Sequence, residues 1–400
     1  MQTVMSNLIS YFSDCCREYP ETYFNEIYKT MKIGILSLVL HTNYGGILQS
    51  YALQTVLERL GHEVYVFNRE QQYDKTRWKY FPKRFVKRII GRDVVIFQEA
   101  RYKKEAPIIC QHIWNFRKKY IHECIIKSFD EIKKMNLDAI IVGSDQVWRP
   151  CYFKSQWNAG IENAFLSFTR DWKIKRIAYA ASFGVNDWEF SDQETQLVAE
   201  AGKLFSAISV REDSGIKLLK EKLNLNSIQV LDPTLLLSRD DYVKLVEKAD
   251  IGKSSGNLLT YILNPSSKKT TFINEVAKAK GLIPFSVNNS NVKQTAPIEQ
   301  RIMPSIEKWL QGFNDAKLVV TDSFHACVFS IIFNKPFIVL GNHERGNARF
   351  DSLLKLFDLH DNLVVNLDSY SFERILSSRI ENKKIEDLRN KSIQFLKQFI

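Results

Sequence analysis

Several short clusters in this 400-residue chain place side chains that can bind or activate a small polar ligand where apolar strands end. Asn43-Tyr44-Gly45-Gly46, with Gln49 one turn further on, sits between a strand and a helix. A glycine pair there lets backbone N–H groups approach a ligand, and a helix start favours an anion or a sugar hydroxyl. The plainer reading is a tight turn that needs small residues. Gly143-Ser144-Asp145-Gln146-Val147-Trp148 follows an apolar strand. Its acid, amide and indole can align hydroxyls and stack on a sugar face, with Asp145 as a general base. Equally, Asp145 can cap a helix and Trp148 can fill core. Arg211, at the exit of the strand ending in Val210, can grip a phosphate or carboxylate with its planar fork, or be tied up by Glu212 or Asp213. Asp232-Pro233-Thr234 leaves the next strand and reads as a turn. Finally, Leu318-Val-Val-Thr-Asp runs into Ser323-Phe-His-Ala. Thr321, Asp322 and Ser323 are capping types, so His325 falls in a first helical turn, aimed at the sheet's ligand edge and readily deprotonated by the helix potential. The basic loop around Arg345 and Arg349 can add contacts to an anion.

Other chemistries fit poorly. The first glycine cluster is not Gly-x-Gly-x-x-Gly, so a dinucleotide site is disfavoured, and there is no P-loop or His-Glu-x-x-His. Gly252-Lys-Ser-Ser-Gly256 matches a nucleophile elbow formally. A helix precedes it and a strand follows, the reverse of what an elbow needs, so it reads as linker. The six cysteines form no Cys-x-x-Cys pair and read as reduced thiols of a cytoplasmic protein, with no metal site expected.

The elements that must hold these clusters are short apolar strands alternating with helical stretches. Ile33–Val39, a helical stretch in which Leu48, Ala52, Val56 and Leu60 recur every four residues, close to the helical period, until Gly61 stops it, and Val64–Phe67 make a β-α-β unit and imply a parallel sheet. Further strands are expected at Ala139–Val142, Arg176–Ser182, Ala207–Val210 and Ser227–Leu231. A second set follows at Leu258–Leu263, Ile283–Val287, Lys317–Thr321, Phe337–Leu340 and Leu363–Val365. The expected class is α/β, with two Rossmann-like lobes facing a cleft: residues 1–30 an extension, 31–250 the first lobe, 257–383 the second, and 384–400 a helix packing back on the first lobe. With 45% apolar and 25% charged residues the composition is that of a globular protein, and no apolar run reaches the length of a membrane span. Of the net charge of +11, most comes from Lys75–Lys104, where Trp78, Tyr80, Phe81 and Phe85 interleave with Lys and Arg. It reads as a solvated helical insertion or, more sharply, as a surface for an anionic membrane. No nucleic-acid motif accompanies it.

Taken together, Asn43-Tyr44-Gly45-Gly46-x-Leu48-Gln49-x-Tyr51-Ala52-Leu53, Gly143-Ser144-Asp145-Gln146-x-Trp148, Val210-Arg211-Glu212, Asp232-Pro233-Thr234 and Thr321-Asp322-Ser323-Phe324-His325 resemble the polysaccharide pyruvyl transferase family. The resemblance runs over about Lys32–Leu359 and takes in Phe329-Ser330-x-x-Phe333-Asn334-Lys335-Pro336-Phe337. It implies a fold similar to the GT-B glycosyltransferases, phosphoenolpyruvate as donor substrate with no cofactor, and a cyclic pyruvate ketal formed on a glycan or its lipid-linked precursor. It implies that His325 is the catalytic acid or base and that Arg211 contacts the donor, with the first-lobe motifs facing the acceptor. Family members often carry Arg two places before the histidine, where this chain has Ser323; Arg345 or Arg349 is expected to take over that contact. A nucleotide-sugar glycosyltransferase and a non-catalytic glycan-binding family member are the competing readings. Location is expected to be cytoplasmic, peripheral to the inner membrane face.

Overall fold

The computed structural model describes residues 30–70, 78–289, 292–341, 348–367 and 381–400. Most of the expected N-terminal extension, residues 75–77 of the basic segment, and Arg345 lie outside them.

Among the described residues two sheets form, and both are wholly parallel. The first has β1 (Lys32–Leu36), β2 (Glu63–Asn68), β3 (Glu123–Ile125), β4 (Ala139–Val142), β5 (Lys175–Ala181), β6 (Ala207–Val210) and β7 (Ile228–Gln229), in the order β3-β2-β1-β4-β5-β6-β7. The second has β8 (Leu258–Tyr261), β9 (Pro284–Phe285), β10 (Leu318–Thr321), β11 (Phe337–Leu340) and β12 (Leu363–Val364), in the order β12-β11-β10-β8-β9. Strands such as Ala-Ile-Ile-Val in β4 and Phe-Ile-Val-Leu in β11 are buried at every residue. That is why they read as unbroken apolar runs, because helices cover a parallel sheet on both faces. Strand order reverses between β1 and β4 and again between β8 and β10. In open parallel sheets such reversals open a crevice at the carboxyl ends of the strands.

The strand limits differ from expectation where side chains compete for the backbone. β1 stops at Leu36 because the Val39 N–H donates to Gln156 Oε1 at 2.9 Å and the Leu40 N–H to Asn68 Oδ1 at 3.0 Å. These bonds turn Ser37–Leu40 out of the sheet and into the crevice. The expected strands at 227–231 and 283–287 shrink to two-residue edges, β7 and β9, in keeping with the shortness of edge strands generally. β3 was not expected. Its Glu-Cys-Ile is too short and polar to show alternation, and it is fixed by Arg117, which grips Glu123 with two bonds of 2.6 Å.

Helix Tyr44–Arg59 starts on an Asn43 cap, whose side chain accepts from the Gly45 N–H at 3.1 Å, and Gly61 follows with φ of +92°. It is buried on most of its circumference because the sheet lies on one side and the second lobe on the other. Of the three apolar clusters among the described residues, the largest runs across both lobes. At its centre Trp309 stacks on Tyr44 at 5.8 Å between ring centroids and meets Phe313, Phe329 and Tyr261 edge-on at 4.6, 4.9 and 5.6 Å. Helix Asn382–Phe399 returns to the first sheet: Ser392 Oγ accepts from the Leu231 N–H at 3.0 Å, and Arg389 donates to the carbonyls of Leu235 and Leu237 at 2.8 and 3.2 Å.

Trp309→Ala opens a cavity at the junction of the lobes and is expected to destabilise the chain by about 3–5 kcal/mol, read by urea unfolding. A loss below about 1 kcal/mol would show that the lobes do not share this core.

Candidate functional site

The two reversals of strand order face each other. Between them lies a cavity of about 500 Å³, lined from the first lobe by residues 37–43, Gly46, Gln49 and 143–146, and from the second by Asn264, residues 322–325 and Arg349. Two helix starts meet there, that of Tyr44–Arg59 and that of Phe324–Ile332. First-turn N–H groups lack partners within a helix and carry a positive partial charge, so both ends favour negative charge in the same space.

The lobes come into tight contact at Gly45. A Cβ added there would overlap the His325 ring, with Nδ1 the nearest atom. Glycine is needed at this position because the imidazole of the opposite lobe occupies the room a side chain would take. His325 is buried, and its Nε2 lies 3.9 Å from Asp232 Oδ2. Burial is the main reason its pKa falls to about 4; Asp232 and Asp145 oppose the fall, while Arg211 and Arg349 add to it. The imidazole is therefore neutral near pH 7 in this structure. Its expected deprotonation is found, with desolvation as the chief cause.

Asp232 is the hub. Its Oδ2 accepts from Gln49 Nε2 at 2.6 Å and from Arg211 Nη1 at 2.9 Å, and its Oδ1 accepts from the Thr234 hydroxyl at 2.7 Å and N–H at 3.1 Å. Burial alone would raise its pKa, but the His325 imidazole, Arg211 and the Thr234 donors outweigh that and hold the carboxyl below its usual range. Sequence reading passed Asp232-Pro233-Thr234 over as a turn. The signal available was an acid at the exit of a strand, the same place that marked Asp145 and Asp322.

The remaining expected residues divide between cavity and interior. Asn43, Gly46, Gln49, Ser144, Asp145, Gln146, Ser323, His325 and Arg349 all line the cavity. Ser144 Oγ accepts from Gln49 Nε2 at 3.0 Å. Asp145 has a left-handed backbone, φ +68°, which turns its carboxylate toward Asn43 Nδ2 at 3.5 Å and Arg211 Nη2 at 3.6 Å. Such a conformation in a residue other than glycine is uncommon and costs free energy that the surrounding contacts must offset. Arg349 lies over the Phe324 ring at 5.3 Å; burial and the nearby Arg211 bring its pKa down to about 10, so it stays charged at neutral pH.

Three expected site residues are placed elsewhere. Trp148 is fully buried, stacked on Phe165 at 4.6 Å, with its indole N–H on the Ala164 carbonyl at 3.0 Å; it is core, with no face toward the cavity. Tyr44 gives its hydroxyl to the Pro304 carbonyl at 2.6 Å and its ring to Trp309, so it joins the lobes. Arg211 lies behind the lining: it meets Asp232, Glu212 at 3.5 Å and Asp145, and its guanidinium covers Phe324 at 4.6 Å. Asp322 was read as a cap. It instead ties the second-lobe switch point together, accepting from the N–H groups of Leu263 at 2.6 Å and Asn264 at 3.0 Å and from Lys269 Nζ at 2.6 Å. Among the described residues no group of three His, Cys, Asp or Glu side chains is arranged to hold a metal ion.

A family model described as polysaccharide pyruvyl transferase matches residues 43–344, most of the chain, from Asn43 through His325, with Arg349 just beyond its end. General stress protein 30 of Bacillus subtilis (strain 168) is 27% identical over 144 residues, a stretch covering 34% of this chain and 38% of that protein. Among solved structures, a glycosyltransferase from Rickettsia africae ESF-5 is similar at 12% identity with a TM-score of 0.46, over 93% of this chain and 94% of that one. Arabidopsis thaliana UGT89C1 is similar at 9% identity and TM-score 0.46, over 92% and 96%.

Gly45→Ala should force the imidazole or a whole lobe to move, at a cost of about 1–3 kcal/mol. Thermal unfolding checks this, and adding His325→Ala to the same chain should restore most of the loss. A Gly45→Ala variant as stable as the parent would refute the contact. A pH dependence follows as well. Between about pH 6.5 and 4 the unfolded chain takes up a proton at His325 that the folded chain refuses, so stability falls as pH drops through that window and is untouched above it. From about pH 7 to 5 the parent should lose about 2 kcal/mol more than His325→Gln in urea unfolding. Equal losses would mean that the imidazole is not held neutral.

Proposed function

The chain belongs to the polysaccharide pyruvyl transferase family, and from that premise we propose that it moves the pyruvyl group of phosphoenolpyruvate onto a sugar diol of a polysaccharide or lipid-linked glycan precursor, closing a cyclic ketal. Pyruvyl transfer to a polysaccharide is the family-level activity; the donor, the ketal and the residue roles are this reading's own. The observation that supports it most is the meeting of His325 from one lobe with Gly45 of the other across a crevice that receives two helix starts. A compact anion fits there, next to an acid–base group.

In this reading the donor's carboxylate and phosphate lie against the helix starts and Arg349, with Ser323 as a neutral hydrogen-bonding wall where an arginine is often found. Arg211 acts one layer back, fixing Asp232 and Asp145. Burial leaves His325 neutral. The negative charge of the donor raises its proton affinity, so donor binding itself prepares the imidazolium. The proton passes from His325 to C3 of the enol, making a methyl group and leaving C2 electron-poor. One sugar hydroxyl adds to C2 and gives up its proton, which returns to the imidazole or to Asp145. The C2–O bond to phosphate then breaks with both electrons going to oxygen. The neighbouring hydroxyl adds to the resulting cationic carbon, loses its proton to the departing phosphate, and closes the ring. Charge and protons balance: one proton is gained at C3, two leave the diol, and one departs on phosphate. Donors fixed in advance around developing charge are the main source of acceleration in such sites. Phosphoenolpyruvate as donor places the reaction in the cytoplasm.

Phosphoenolpyruvate at about 100 times its dissociation constant should stabilise the chain by about 2.7 kcal/mol, seen as a rise in thermal midpoint that UDP- and GDP-sugars do not give. Arg349→Ala should lose most of that rise. His325→Ala should keep most of it while losing phosphate release in the presence of acceptor. A rise with nucleotide sugars alone, or undiminished turnover by His325→Ala, would overturn the reading.

A further inference from the structure

Helix Phe81–Ile89 belongs to no part of the site, and it is turned inside out relative to an ordinary surface helix. Surface helices bury their apolar stripe and expose their charges. Here the side facing the protein holds Arg84, which grips Glu99 with two bonds of 2.8 Å and reaches the Ile96 carbonyl, beside Phe81, whose ring packs on Phe97 at 5.4 Å. The opposite, outward face carries Phe85, Val86 and Ile89, continued by Ile90, at 47%, 56%, 69% and 62% exposure, and Trp78 just ahead of the helix is 70% exposed. At 100° per residue these apolar side chains fall on one side, and Lys83 and Lys87 flank them with Arg88 on the other border. Lys79 and Arg92 extend the basic rim at the two ends, and both are exposed.

Nothing acidic interrupts this surface. From residue 78 to 92 there is no Asp or Glu, and Asp93 is turned away, accepting from the Gln294 and Thr295 N–H groups of the second lobe at 2.6 and 3.0 Å. The platform is also held in place: Arg101 donates to the Gln294 carbonyl at 3.2 Å, Arg301 meets Glu105 at 2.7 Å, and the Met303 N–H reaches the Ile109 carbonyl at 2.8 Å. An apolar strip is thus presented outward on a firm base inside a ring of cations.

We propose that helix Phe81–Ile89 with Trp78 is a peripheral membrane anchor that lies in the interface of an anionic bilayer. A strip of this kind sinks about 5–10 Å to the boundary of headgroups and acyl chains. Lysine and arginine stems lie along the apolar surface while their charges reach up to the lipid phosphates. Tryptophan favours the same depth. The charge complementarity selects an anionic surface over a neutral one. Among the described residues no helix is long and apolar enough to cross a membrane, so the attachment is to one face. The anchor stands apart from the proposed reaction, because its residues contribute nothing to the cavity.

The test is flotation of the full chain with vesicles of phosphatidylcholine alone or with about 30% phosphatidylglycerol. The chain should float with the anionic vesicles, poorly with the neutral ones, and less well as added salt shortens the reach of the charges. Val86→Glu with Ile89→Glu should weaken flotation by about tenfold or more while leaving the thermal midpoint unchanged, since both side chains point outward. Lys83→Gln with Lys87→Gln should remove the preference for anionic lipid. No flotation of the parent chain, or undiminished flotation of the Val86→Glu, Ile89→Glu pair, would overturn the anchor. So would light scattering that showed a dimer dissolved by that pair without vesicle binding, since the strip would then be covered by a second copy. Neither result bears on phosphoenolpyruvate binding, so the anchor and the reaction can fail separately.

Discussion

A buried arginine, held against carboxylates that are also buried, is the constraint on which this structure depends. Arg211 and Asp232 have almost no exposed side-chain surface, yet they meet at 2.9 Å. Taking each charge out of water costs several kcal/mol, and the pair persists only where geometry and further hydrogen bonds offset it. The offsets come from distant parts of the chain. Gln49 arrives on a helix from the first crossover, Thr234 from the turn itself, and Phe324 from the second lobe as a cover over the guanidinium. Phe324 completes the enclosure from the second lobe, and His325 on the same helix lies 3.9 Å from Asp232, so the buried pair joins the packing of the two lobes to the cavity.

The same enclosure sets the charge balance of the site. Two arginines, Arg211 and Arg349, stand among three carboxylates, Asp145, Glu212 and Asp232, and the imidazole is uncharged. Positive potential in the crevice therefore comes chiefly from backbone, from two helix starts whose dipoles are fixed by folding and need no rearrangement when an anion arrives.

Much of this was legible in the sequence. Unbroken apolar tetrapeptides announced covered parallel strands, and polar clusters at their carboxyl ends announced the crevice, because in a doubly wound sheet those positions have nowhere else to face. Asn43, Gly46, Ser144, Asp145 and His325, singled out in this way, line the cavity. Trp148 and Tyr44 were misplaced for one shared reason. An aromatic beside a polar cluster looks the same whether it faces a ligand or a neighbouring element, and the partners that decide it, Phe165 for one and Trp309 for the other, are set by tertiary packing. Arg211 shows a related blindness, since its three carboxylates converge from residues 66 positions before it to 21 after it. The inverted helix at Phe81–Ile89 carried a visible pattern of aromatics and cations, but which side faced outward depended on Glu99 claiming Arg84.

The return of helix Asn382–Phe399 to the first sheet has a consequence for the order in which the chain can assemble. The Leu231 N–H, one residue before Asp232, is satisfied by Ser392, 161 positions later, and the carbonyls just beyond that turn are held by Arg389. On the ribosome the first lobe is made long before either partner exists. Its strands can pair early, but the turn that carries Asp232 has to wait with open backbone groups until the end of the sequence has emerged and folded back. The first lobe thus draws backbone partners around Asp232 from the end of the sequence, and a nascent chain halted after the second sheet would hold every cavity-lining residue and still lack those partners beneath them.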